Sequence, residues 1–206
     1  MTTEIFKKSD GIRENLRKSI SINAEYYTII IFSSLIFGLI NGNMSRAIFT
    51  LCFMFFWAYL SHTLAHSTIP FKWFHAFHHH EPDDKKWYDD VIETFVNIFG
   101  SGGIIVLVAN LIVERMFSVK ILDNHIILYN ALLYTSTHMF NYHYYDVQTH
   151  VSHHLEPTTN FGPDIMDIIF GSKQEGGEIE NMDNSIINVI ILAILVAGVK
   201  YTSNTI

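Results

Sequence analysis

Residues 47–66, AIFTLCFMFFWAYLSHTLAH, carry two patterns at once. From Ala47 to Leu64 there is no Asp, Glu, Lys or Arg. A helix rises about 1.5 Å per residue, so about 20 residues cross roughly 30 Å of hydrocarbon. The last five residues, His62-Thr63-Leu64-Ala65-His66, set two imidazoles four apart, which places them on one helix face. The stretch predicts a membrane-spanning helix with a pair of metal ligands at one end.

Working outward, three more apolar runs are Tyr26 to Ile40, Val96 to Val113 and Ile126 to Phe140. A last one, Ile186 to Val199, follows an acidic, glycine-containing linker, Lys173 to Asn184. It has the composition of a fifth span, an interfacial helix or a packing element, and length alone does not choose. Only 16% of the 206 residues are charged and mean hydropathy is +0.22, against about 25% charged residues in soluble domains. The fold class expected is all-α, a polytopic membrane protein with about four transmembrane helices and a C-terminal candidate fifth. Three regions follow: a basic N-terminal segment 1–25, a membrane domain 26–172, and the linker with its C-terminal apolar helix, 173–206.

Several function classes are disfavoured. A net charge of −7 without a basic stripe argues against nucleic acid. The single Cys52 cannot form an intrachain disulfide, and its place in an apolar run predicts buried packing. Gly100-Ser101-Gly102-Gly103 lacks the Lys-Ser/Thr ending of a phosphate loop, so a bend or a close helix contact is expected there. No Glu-x-x-His pair or His-Glu-x-x-His motif occurs, which argues against a carboxylate-bridged di-iron bundle and a zincin.

Basic residues set the orientation expected. With a cytosolic N-terminus, residues 1–25, 65–92 and 141–184 face the cytosol and carry nine of the thirteen Lys and Arg residues. That topology brings every histidine except His125 to the cytosolic face. His75-Ala76-Phe77-His78-His79 and His150-Val151-Ser152-His153-His154 share i, i+3, i+4 spacing, and His138 and His143 stand five apart. A straight helix would turn the last two away from each other, so a break near Asn141 or two separate ions is required. Neutral imidazole suits iron, zinc and copper. Ten rings in four groups predict metal binding, whereas His80 and His125 read as ordinary polar residues.

The three boxes in order, followed by Asn160-Phe161-Gly162 and Asp167-Ile168-Ile169-Phe170-Gly171-Ser172, resemble the fatty acid hydroxylase superfamily of sterol desaturases, sterol methyl oxidases and fatty acid 2-hydroxylases. The resemblance spans roughly residues 55 to 173. It implies a four-helix membrane anchor beneath a cytosolic cap holding two iron ions. O2 would be the co-substrate, with electrons from a separate cytochrome b-type donor and its reductase. Ligand roles carry over to His62, His66, His75, His78, His79, His150, His153 and His154. His138 and His143 resemble the additional pair before the last box, with a spacing one residue wider than in the fatty acid 2-hydroxylases. Asp146 and Asp167 are candidates to accept the outer N–H of a ligating imidazole; for each, an ordinary cap or surface charge is the competing reading.

The function expected is that of an integral-membrane oxygenase, in the endoplasmic reticulum or an equivalent membrane, hydroxylating or desaturating a sterol or fatty acyl lipid. The rivals are an acyl-lipid desaturase and a non-redox membrane protein that binds or transports metal. Transport would normally put ionisable residues within the spans, and the cores of the four main runs have none.

Overall fold

The apolar run from Ile126 onward forms the centre of the molecule. The computed structural model describes residues 2–67, 86–145 and 147–203, without the side chains of residues 2–10, 143 and 203. Among the described residues all regular structure is helical: α1 (Thr2–Ile22), α2 (Ala24–Ile40), α3 (Met44–Ser67), α4 (Trp87–Val96), α5 (Ile104–Phe117), α6 (Asn124–Ser136), α7 (Tyr142–Tyr145), α8 (Gln148–Leu155), α9 (Asp164–Phe170) and α10 (Ile186–Ser203). Asp123 starts α6 by accepting the backbone N–H groups of His125 (3.0 Å) and Ile126 (3.3 Å), donors that the first turn leaves without helical partners. On α6, Ile126, Ile127, Tyr129 and Ala131 are fully buried. The helix packs against α3, α5 and α10.

Among the described residues, two helical segments are long and apolar enough to cross a membrane, Met44–Ser67 and Asp183–Thr202. Two bent pairs, Gly11–Ile22 with Ala24–Ile40 (74°) and Trp87–Ser101 with Ile104–Phe117 (43°), raise the number to four if each is one span. The C-terminal run is thus a span candidate, and α6 forms the buried centre of the molecule. Phe32, Leu39, Phe49, Ile112 and Ile194 point outward and are exposed. Apolar exposure on this scale belongs to a surface that meets lipid. Cys52 joins that outward surface, contrary to the buried packing its sequence context predicts; an apolar run identifies lipid-compatible helix, not which face turns inward.

Glycines set two close approaches. Gly38 lies where a Cβ would stand 2.7 Å from the Ala47 Cβ, so α2 and α3 meet tightly at their hairpin, whose turn places Gly42 at φ +71°. In the third run, a π-helical turn at Asn97–Ser101 leads into Gly102 and Gly103. A side chain on Gly102 would meet the Ala131 carbonyl at 2.9 Å, and Gly103 has φ +95°. This is the bend and close contact expected of the glycine group.

The linker before α10 is packed rather than loose. Asn23, at the junction of α1 and α2, donates to the Glu180 carbonyl (2.8 Å) and accepts from the Met182 backbone N–H (2.7 Å). Asn141 donates to the Asn184 carbonyl (3.0 Å) and to Ser185 Oγ (2.8 Å). These bonds fold residues 180–185 onto the ends of α2 and α6.

Candidate metal centre

The last two turns of α3 project His62 and His66, and α8 projects His150, His153 and His154, toward the same space. His62 is buried and His153 completely so. One nitrogen from each of His62, His66 and His153 lies within 4.8 Å of the others. His66 Nε2 and His153 Nε2 are 2.9 Å apart, and His150 Nε2 and His154 Nε2 are 3.0 Å apart. Two nitrogens bound at right angles to one ion, each at about 2.1 Å, would stand about 3 Å apart. The donor spacing therefore suits a transition-metal ion at each pair.

The tautomers suit it too. His62 Nδ1 contacts the Phe161 carbonyl at 2.5 Å, and His153 Nδ1 the Thr159 carbonyl at 2.6 Å. A carbonyl only accepts, so each Nδ1 carries the proton and each Nε2 keeps its lone pair. Burial pushes the His153 imidazole down to about 4, which keeps it neutral and able to ligate at pH 7.

His138 sits in a second π-helical turn, Thr137–Asn141. Its ring is 4.8 Å from that of His150 and 6.2 Å from that of His62, between the two pairs. That turn ends at Asn141, where the sequence places a possible break between His138 and His143, and such turns recur at functional sites. The His143 side chain lies outside the described residues, as do His75, His78, His79 and Asp146 altogether.

Asp167 acts one step further out than its expected role. Buried on α9, it accepts from the backbone N–H groups of Phe161 (2.9 Å) and Gly162 (2.6 Å) and from Ser172 Oγ (2.7 Å). It holds the loop whose Phe161 carbonyl takes the proton of His62, rather than an imidazole itself. The reason is geometric: the loop's backbone donors occupy both carboxylate oxygens. Asn160 and Gly162, at φ +52° and +69°, shape that turn, as read from the sequence. His125 is likewise structural, with Nδ1 3.2 Å from Asn41 Nδ2.

Sequence reasoning missed several buried polar residues. Asp89 and Glu93 lie on one buried face of α4, and their i, i+4 spacing was the available signal. Asp164 and Lys173 form an ion pair at 2.5 Å with both side chains buried. Glu180, in the acidic linker, is 5% exposed. A cavity of about 90 Å³ adjoins the histidines; its wall includes His62, His138 and His150, apolar Met54, Phe55 and Leu133, and polar Tyr142, Asp164 and Glu180.

The sequence model of the fatty acid hydroxylase family matches residues 47–172, more than half of the chain. No curated protein and no solved structure gives a significant match.

Proposed function

The chain belongs to the fatty acid hydroxylase family, and from that premise we propose that it is a membrane di-iron oxygenase that hydroxylates or desaturates a lipid. The observation that carries the reading is the convergence of His62, His66 and His153 at the C-terminal end of α3, beside a partly apolar cavity. The first iron would be held by His62, His66 and His153 and the second by His150 and His154, with His138 between them. His75, His78, His79 and His143 are the further ligands that the family motif supplies. Bound iron would supply the activation of O2 needed to attack an unactivated C–H bond.

The chain's own groups prepare that chemistry. The Phe161 and Thr159 carbonyls orient the His62 and His153 rings and fix their tautomers. Asp167 makes the supporting loop rigid through three accepted hydrogen bonds. Met54, Phe55 and Leu133 line the space beside the rings, where an apolar chain excludes water from the reacting carbon. A lipid reaches this cavity sideways from the bilayer, which accounts for joining a histidine cluster to membrane helices. Two electrons per turnover come from a separate cytochrome b-type donor and its reductase, and the endoplasmic reticulum with a cytosolic site is the compartment proposed.

The test is untargeted lipidomics of cells expressing the intact chain beside a His153→Ala, His154→Ala version. An oxygen-dependent lipid product absent from the variant supports the reading, and its mass separates gain of oxygen from loss of two hydrogens. Identical lipid profiles overturn it.

A further inference from the structure

The cavity wall also holds polar groups outside the histidine cluster. Glu180 is buried, and its Oε1 has no hydrogen-bond partner. Asp164, also buried, gives one carboxylate oxygen to Lys173 Nζ (2.5 Å), while its Oδ2 has no partner. Both residues line the same cavity as His62, His138 and His150. Tyr142 connects the two ends: its ring lies 4.5 Å from that of His150, and its hydroxyl faces Glu180. Leaving a buried acceptor without a donor is unfavourable, and folding the linker inward through Asn23 keeps Glu180 buried instead of exposing it.

We propose that Glu180, with Asp164 beside it, is the polar subsite that binds a hydroxyl group of the lipid substrate and so sets which carbon reaches the histidines. The inference rests on the oxygenase reading above and names the substrate class, a lipid bearing an alcohol. The charge inventory selects the ligand. Lys173 already neutralises Asp164, and burial pushes the Glu180 carboxyl up to about 7, so the subsite has little net charge to attract an ammonium. Among the described residues that line the cavity there is no lysine or arginine to meet a fatty acid carboxylate, and Lys173 is paired with Asp164. A hydroxyl both donates and accepts, which matches an unpartnered carboxyl oxygen in either protonation state. Met54, Phe55 and Leu133 of the same cavity take the adjoining hydrocarbon.

The test is a thermal-shift titration of the full chain in detergent with octan-1-ol, octane, octylamine and octanoate, on wild type, Glu180→Gln and Glu180→Leu. Leu replaces a buried unpartnered carboxyl with an apolar group of similar length, so folding survives. Octan-1-ol should stabilise wild type and Glu180→Gln at similar concentrations and require about tenfold more for Glu180→Leu, the loss expected for one hydrogen bond. Equal half-saturation in wild type and Glu180→Leu, equal stabilisation by octane, or tighter binding of octylamine or octanoate would each overturn the proposal. Because this readout is binding and not turnover, it separates from the parent reading. Lipid oxidation without Glu180-dependent alcohol binding sinks the subsite alone, and alcohol binding without any oxidised lipid sinks the oxygenase alone.

Discussion

Asp167→Asn offers the most direct handle on how the histidines are held. Asp167 Oδ1 accepts from Phe161 N and Ser172 Oγ, and Oδ2 accepts from Gly162 N. Asparagine can keep the first two bonds through its carbonyl oxygen, but its amide then points N–H groups at the Gly162 N–H. One charge-assisted bond is lost and a buried donor is left unpaired, a cost of about 2 kcal/mol. For a chain of this size, that lowers the unfolding midpoint by about 4–8 °C. The loop then releases the Phe161 carbonyl from its fixed place against His62 Nδ1, and loss of such an outer partner weakens metal affinity about 10–100-fold. Differential scanning fluorimetry of the metal-free chain in detergent reads the first effect, and competition with a chromophoric chelator reads the second. Glu178→Gln, on an exposed side chain, is the control and should change neither. If Asp167→Asn melts and binds metal as wild type does, the loop does not position His62 and this part of the mechanism is wrong.

Other predictions address separate elements. The Glu180 carboxyl is raised by burial to about 7, with Asp164, Asp167, Lys173 and Tyr142 facing it. The native state therefore holds a proton that the unfolded chain releases near pH 4.5, so stability should fall as pH rises from about 4.5 through 7, by on the order of 3 kcal/mol in all. Melting curves across that window should show the decline in wild type, and Glu180→Gln should flatten its share. Lys173→Ala strands the buried Asp164 carboxylate and should destabilise the fold by about 3–5 kcal/mol, whereas replacing both partners, Asp164→Leu with Lys173→Met, should recover most of that loss in the same assay. Gly38→Leu forces a side chain into the α2–α3 contact and should cost about 1–3 kcal/mol, read as a lower midpoint, while Gly11→Leu meets open space and should cost far less.

What could be read from the chain in advance was whatever repeats locally. The His62/His66 and His150/His153/His154 spacings place their rings on single helix faces whatever surrounds them, and the apolar runs announce helices by length. The buried role of Glu180 had no such signal. It is drawn inward by Asn23, 157 residues away, and within its own segment the acidic stretch looks like solvated linker. Asp167 was singled out, but its partners are backbone groups of a turn that only the folded loop brings together. Cys52 shows the limit of hydropathy, which identifies apolar helix without saying which surface meets lipid and which meets protein.

The central claim is that these imidazoles enclose a pair of iron ions beside the membrane. The full chain, purified from cells grown on isotopically enriched iron, can be read by metal analysis and Mössbauer spectroscopy. The account predicts two irons per chain, spin-coupled when oxidised, and loss of the coupled signal in His153→Ala. Zinc in their place, or a single uncoupled iron that survives the substitution, would contradict it.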